Sequence, residues 1–298
     1  MTIDGFLNVN KPAGMTSFSV VSLIRRITHQ KKVGHAGTLD PLASGVLPIC
    51  LGKATRITRF LMNAGKTYQA EIELGISTDT FDREGKIIKR SDPGLITESE
   101  IREVLGSFKG VITQLPPLYS ALKFHGRRYC EMARAGETPD IKPRNVRIDR
   151  IELISWNSPV LIIEVECGKG TYIRSLANDI GQVLKCGGHL KNLVRTQYAH
   201  YKLENAVSLS HLEAVATDGT LSEYVDSPDA PLRGFSVVIL GEKEVMDVIY
   251  GRSIAVQDIH EKPSDYCRAY SLSGEFIAVL AYVPDSNAWH PEVVLTRG

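Results

Sequence analysis

The chain has 298 residues, 43% of them hydrophobic and 23% charged, enough apolar material for one large core and a small second one; this excludes a disordered or fibrous protein. No apolar stretch approaches the roughly 20 residues that cross a bilayer, and Met1 to Gly14 lacks a signal-peptide core, so a cytoplasmic protein without a membrane partner is expected. The formal net charge of +1 argues on its face against a polyanionic partner.

In chain order, Lys11-Pro12-Ala13-Gly14 reads as a turn. Thr16 to Gln30 follows as a helix, with Val20, Leu23, Ile24 and Ile27 at helical spacing behind Thr16 or Ser17 as N-cap. Val46 to Leu51 is an apolar, strand-like run, and a second helix is expected from about Lys53 to Asn63. Lys66 to Gly75 alternates, with Tyr68, Ala70, Ile72 and Leu74 on one face, and reads as a strand. Thr97-Glu98-Ser99-Glu100 is a capping box opening a helix to about Phe108. Arg144 to Trp156 and Val160 to Cys167 read as neighbouring strands, and Tyr172 to Leu184 as a helix. This mixed order, without regular βαβ repetition, predicts an α+β fold with a largely antiparallel sheet. Gly219, Pro228 and Pro231, set among Asp218, Asp226 and Asp229, mark a boundary between about Thr217 and Arg233. Beyond it, one helix (Glu242 to Tyr250) and short strands such as Cys267 to Ser271 and Phe276 to Val283 suit a small β-rich domain.

The neutral average charge hides an asymmetry. Residues 1–150 hold 23 Lys+Arg against 15 Asp+Glu, and residues 151–298 hold 12 against 19, so the halves carry +8 and −7. The basic residues cluster as Arg25/Arg26/Lys31/Lys32, Lys53/Arg56/Arg59, Lys123/Arg127/Arg128/Arg134 and Lys142/Arg144/Arg147/Arg150, which admits an anionic partner. The region from Pro231 onward carries six Lys+Arg against nine Asp+Glu, a poor balance for gripping an RNA backbone. Several chemistries lose support. Gly52-Lys53 and Gly168-Lys169 both lack the earlier glycine and following Ser/Thr of a phosphate-binding loop, no HExxH occurs, and no GxGxxG follows a strand. The five cysteines (Cys50, Cys130, Cys167, Cys186, Cys267) form no CxxC pair, and the eight histidines form no ligand cluster. No metal and no cofactor are expected.

One segment concentrates unusual residues. Gly34-His35-Ala36-Gly37-Thr38-Leu39-Asp40-Pro41-Leu42-Ala43-Ser44-Gly45 places two glycines before one carboxylate, and a proline and a third glycine after it. Glycines permit close backbone approach to a ligand, and Pro41 fixes the backbone beside Asp40. From spacing alone the segment reads equally as a tight loop whose aspartate caps a turn.

This stretch resembles motif II of the TruB-type pseudouridine synthases, unbroken over twelve residues. The resemblance also takes in Leu7-Asn8-Val9-Asn10-Lys11-Pro12, Lys66-Thr67-Tyr68, Pro117-Leu118-Tyr119-Ser120-Ala121-Leu122-Lys123, Gly168-Lys169-Gly170-Thr171-Tyr172-Ile173-Arg174-Ser175-Leu176, Gly187-Gly188-His189-Leu190 and Leu193-Val194-Arg195-Thr196, covering about residues 5–215. The rest resembles, more weakly, the PUA-like tail of bacterial members. It implies a pseudouridine-synthase fold over residues 1–225, with an RNA-binding insertion at about 116–145, and a PUA-like domain over 231–298. It implies isomerisation of a uridine in the tRNA T-loop, position 55 in tRNA numbering, without cofactor or metal. The expected partner is the T-arm of tRNA, with no obligate protein partner and a monomeric enzyme.

The resemblance also assigns roles. Asp40 is the catalytic carboxylate, acting at the ribose anomeric carbon, at carbon 6 of the base, or by assisting glycal formation; the sequence leaves these open. Arg174 is its cationic partner, offsetting the cost of a carboxylate in a closed pocket. Tyr68 stacks on the target base and offers a phenol near the proton leaving carbon 5. Tyr172 and Leu193 line the same pocket, His35 fills the space of the flipped base, and Lys11 and Lys123 contact the substrate. Rival readings are an RNA-binding or tRNA-folding module without turnover, and the catalytic subunit of an RNA-guided synthase. A metal-dependent hydrolase using His35 and Asp40 is a third.

Overall fold

Alternating apolar residues along several stretches meet in one mixed sheet of eleven strands, to which a four-stranded C-terminal sheet is added. The computed structural model describes residues 3–119, 123–124, 127–135, 137, 141–255 and 265–296. The main path of the large sheet runs Val207–Ser208, Gly5–Lys11, Ser44–Leu51, Gly188–Tyr198, Lys66–Leu74, Val160–Cys167, Arg144–Asn157, Gly110–Gln114. Along it, Gly5–Lys11 pairs in parallel with Val207–Ser208, and Ser44–Leu51 with Gly188–Tyr198; the other neighbours are antiparallel. The expected α+β class and largely antiparallel sheet are therefore observed.

Helices Ser17–Thr28, Ile173–Val183 and Leu209–Thr217 supply Val20, Ile24, Leu176, Ile180 and Leu212, all fully buried, to the main core. Each such side chain contributes about 1.5–3 kcal/mol relative to exposure. The first helix starts where its cap was expected: the Ser19 amide donates to Thr16 Oγ1 at 2.9 Å. Helix Glu98–Ser107 carries the complete capping box of Thr97 and Glu100. Gly181 lets helix Ile173–Val183 approach strand Gly188–Tyr198, since a Cβ there would lie 2.2 Å from the Gly188 nitrogen.

One expectation needs correcting, and one strand went unpredicted. The helix predicted over Lys53–Asn63 is a 3₁₀ turn, Gly52–Arg56, followed by one short helix, Thr58–Leu61. Thr55 Oγ1 donates to the Gly52 carbonyl at 2.7 Å and Thr58 Oγ1 to the Thr55 carbonyl at 3.0 Å, so two threonine hydroxyls satisfy the backbone in the tighter winding. The central strand Gly188–Tyr198 has no clean alternation in the sequence, because bulges at Leu190/Asn192 and Arg195/Gln197 reset which residues face inward.

The C-terminal sheet runs Ser236–Leu240, Tyr266–Ser271, Phe276–Val283, Ala288–Val294, beside helix Glu242–Ile249. It docks on the first domain through Phe60, Phe235 and Tyr266, whose ring centroids lie 5.1–5.7 Å apart, and through a shared cluster that includes Ala36, Ile57, Leu61, Val279 and Val293. Arg59 adds an ion pair to Glu292 at 2.6 Å, and Arg56 donates to the Val294 carbonyl. Two members of one expected basic cluster thus hold the C-terminal sheet against the rest of the chain. Much of the insertion expected at 116–145, including residues 120–122, 125–126 and 138–140, lies outside the described residues.

Candidate active site

The loop that carries Asp40 leaves strand Val33–His35 and re-enters the sheet at Ser44–Leu51. Both neighbours of Asp40 are tied down. Ser17, at the start of the first helix, donates its hydroxyl to the Leu39 carbonyl at 3.0 Å and accepts from the Leu39 amide at 2.9 Å. The Gly14 amide donates to the Pro41 carbonyl at 2.7 Å, and Lys11 Nζ reaches the same oxygen at 3.4 Å. Gly45 closes the loop at φ +103°, where a Cβ would lie 2.3 Å from the Arg195 carbonyl oxygen, so only glycine fits. The aspartate is consequently presented from a rigid turn.

Opposite it, Arg174 sits in the first turn of helix Ile173–Val183 with 6% of its side chain exposed. Its Nε forms an ion pair with Asp40 Oδ2 at 2.9 Å, its Nη1 pairs with Asp82 Oδ2 at 3.2 Å, and its Nη2 donates to the Tyr119 carbonyl at 3.0 Å. One guanidinium therefore serves two carboxylates. About a third of the Asp40 side chain faces the cavity and protein surrounds the rest. Burial pushes its carboxyl above the usual aspartate range; Arg174 pulls it back, and Asp82 pushes it up again. Arg174 offsets the desolvation only in part, because it is shared.

The cavity in front of Asp40 has a volume of about 910 Å³. Tyr68, Tyr172 and Leu193 all line it, as expected. Tyr68 is 7% exposed on strand Lys66–Leu74, and burial raises its phenol above the ordinary value. Tyr172 is held by a double hydrogen bond from Gln114: its amide donates to Oε1 at 2.8 Å, and its carbonyl accepts from Nε2 at 3.0 Å. The Arg144 guanidinium lies 4.8 Å from the centre of its ring. Among the described residues, six basic side chains line the cavity (Arg59, Lys66, Arg144, Lys169, Arg174, Arg195) and Asp40 is the single acid. A chain of near-zero net charge has concentrated cations here, the footprint of a polyanion.

Two predicted site residues stand outside the cavity lining, and the side chain of a third is not described. Lys11 does not face the cavity. It is fully buried and donates to the carbonyls of Pro12 at 2.9 Å and Met15 at 2.7 Å besides Pro41. A lysine on a loop before a helix reads as exposed, but three converging carbonyls draw it inward, where burial lowers its pKa to about 8 despite Asp40 nearby. His35 lies on the strand that leads into the loop, outside the cavity lining, and its Nδ1 accepts from the Gly37 amide at 3.2 Å. Burial and the Arg195 charge lower its pKa, which favours a neutral ring with the proton on Nε2. Lys123 belongs to the short strand Lys123–Phe124, and its side chain lies outside the described residues.

Sequence reasoning missed Asp82 and Gln114, named Arg144 only within a basic cluster, and quoted Arg195 and Lys66 only inside motifs. Asp82, 92 residues from Arg174, is 4% exposed and fixed by Thr80 Oγ1 at 2.6 Å and the Glu84 amide at 3.1 Å. The one signal for it was the dense polar turn Asp79-Thr80-Phe81-Asp82-Arg83-Glu84-Gly85 after a strand.

Two family models cover the chain consecutively: the N-terminal domain of the TruB family of pseudouridylate synthases over residues 25–173, and the C-terminal domain of tRNA pseudouridylate synthase B over 174–233. The chain belongs to the TruB family. It is 43% identical over 295 residues to the tRNA pseudouridine synthase B of Dehalococcoides mccartyi (strain CBDB1), covering 99% of this chain and 97% of that protein. It is 41% identical over 271 residues to the enzyme of that name from Clostridioides difficile (strain 630), covering 89% and 90%. Among solved structures, a chain of a Cbf5-Nop10-Gar1 complex superposes with a TM-score of 0.77 at 29% identity, covering 98% of this chain and 85% of that one. TruB-family membership makes the chain a pseudouridylate synthase, so the cavity with its aspartate is read as the site of that isomerisation. Helix Ile173–Val183 is what brings Arg174 to Asp40.

Proposed function

We propose that this TruB-family chain isomerises a uridine in the T-loop of tRNA, with Asp40 as the catalytic carboxylate and Tyr68, Tyr172 and Leu193 as the walls that receive the base. The observation that carries the reading is a single ion-paired aspartate, rigidly mounted, in a cavity whose other charged lining residues are all cations and whose walls include Tyr68 and Tyr172. The cationic rim suits phosphates flanking one nucleotide, and the aromatic walls suit one unstacked base.

The base must leave the RNA stack to reach Asp40, at a cost of roughly a few kcal/mol. His35, half-buried on the strand that leads into the loop, is assigned to fill the gap the base leaves, although it stands outside the cavity lining. The Asp40 carboxylate then acts at the ribose anomeric carbon, at carbon 6, or on a sugar proton to give a glycal. Each route breaks the bond from the anomeric carbon to N1, lets the base turn, and joins carbon 5 to the sugar. The proton on carbon 5 departs last, towards the Tyr68 phenol. Relatives named as tRNA pseudouridine synthase B match nearly the whole chain, which supports tRNA as substrate and action without an obligate protein partner. The likeness to a Cbf5-Nop10-Gar1 chain favours a second reading, a catalytic subunit that needs partners.

Position mapping of pseudouridine in an unmodified tRNA transcript treated with the purified chain alone tests both. One pseudouridine per transcript in the T-loop is expected. Product only after partner proteins or a guide RNA are added would establish the second reading.

A further inference from the structure

Arg195 has no place yet in the site. It is fully buried on the central strand Gly188–Tyr198, directly opposite Tyr68 in the register with Lys66–Leu74. Its Nε donates to the Val46 carbonyl at 2.7 Å and its Nη2 to the Gly37 carbonyl at 3.1 Å. Its guanidinium lies 4.9 Å from the centre of the Tyr198 ring. Among the described residues no carboxylate pairs with it, whereas Arg174 has two. A buried cation without a counter-charge is costly, and two carbonyls and a ring return only part of its lost hydration. Such a charge is explained if something facing it gains from it.

We propose that Arg195 is a positioning residue for the isomerisation, joining the Gly34–Pro41 loop to Tyr68 and favouring the anionic form of the Tyr68 phenol. The inference rests on the reading of Tyr68 as the group that takes the proton from carbon 5. For that, the phenol first gives its own proton to solvent; the phenolate oxygen then bonds the carbon-5 proton, the C–H pair becomes the carbon 5–carbon 6 double bond, and the carbon 6–N1 π pair moves to N1, which takes a proton from solvent. Three charged or titratable groups act on Tyr68 from the packed elements. Arg195, opposite it in the strand register, favours the phenolate through its charge, while Cys167 and Asp40 oppose it. Arg195 is the single group of the three that helps, and its link to the Gly37 carbonyl fixes the distance between the loop and the ring.

Two measurements test this. In single turnover on unmodified tRNA, Arg195→Met should lower the rate by about 100-fold and move the rising limb of its pH profile to higher pH, and Arg195→Lys should restore part of both. A lower rate with an unmoved profile in both variants would reduce Arg195 to a structural residue and overturn the proposal. If either variant fails to fold, the reciprocal experiment decides: in the isosteric Tyr68→Phe protein, the slowly exchanging Arg195 guanidinium ¹⁵N resonances should shift relative to the parent, and unshifted resonances would overturn it. Failure of the underlying reading is separately visible, as absence of pseudouridine from the parent reaction.

Discussion

The cavity around Asp40 and the contact beneath the C-terminal sheet both use arginines, and they use them oppositely. At the domain contact, Arg59 meets Glu292 and Arg56 meets the Val294 carbonyl, beside a cluster of aromatic rings. These are partly exposed pairs of modest value, about 0–1 kcal/mol each, and the rings supply most of the adhesion. In the cavity, Arg174 is buried between two carboxylates and Arg195 is buried without any. The fold tolerates unfavourable electrostatics where the chemistry is and neutralises charge where it only joins domains. Basic residues that look alike in the sequence therefore divide into those buried beside Asp40 and those at the C-terminal sheet, and Arg59 belongs to both regions, lining the cavity and pairing with Glu292.

The sharpest break of this comparison is Asp40→Asn. It should reduce pseudouridine formation by about 10⁴-fold or more while tRNA affinity stays within about threefold. Thermal melting should be unchanged or slightly raised, since a desolvated carboxylate is removed. Next, Arg174→Met strands two carboxylates and should destabilise the fold by about 3–5 kcal/mol, measured by urea unfolding, besides losing activity. Asp82→Asn sharpens the argument through pH. The parent needs ionised Asp40, whose pKa is raised, so activity falls as pH drops through that raised value. Removing the Asp82 charge should move the lower, steeper part of the rise, where Asp40 ionises, to lower pH and leave the upper part assigned to Tyr68 in place, read from single-turnover rates. At the other region, Phe235→Ala should cost about 2 kcal/mol, less than the roughly 3–5 of a fully buried ring, and leave the rate per folded molecule unchanged. Smallest of all, Lys169→Ala at the cavity rim should reduce the slope of log affinity against log salt by about 1, whereas Arg56→Ala should leave that slope alone.

Local signals carried the fold where sequence pattern and structure share a period. The alternation of Tyr68, Ala70, Ile72 and Leu74 and the Thr97–Glu100 box both appear as read. Strand Gly188–Tyr198 escaped because its two bulges destroy the period, although it is the strand that places Leu193 and Arg195. Within the site, Asp40 stood out because loop geometry demands glycines and proline around it, a requirement written in adjacent residues. Asp82 and Gln114 act across 92 and 58 residues of sequence through the packing of a helix on a loop and a strand end. No spacing rule encodes such contacts. Lys11 misled for the converse reason: a charged residue in a motif reads as substrate-facing, and only the three carbonyls that converge on it reveal its structural position.

The central claim is that Asp40 performs chemistry on a tRNA uridine rather than merely shaping an RNA-binding cavity. Release of tritium from carbon 5 of uridine-labelled, unmodified tRNA, compared between the parent and Asp40→Asn at equal bound tRNA and with EDTA present, tests it most directly. The account predicts one equivalent released per tRNA by the parent and none by the variant. Equal release from both, or none from a parent that binds tRNA, would contradict it.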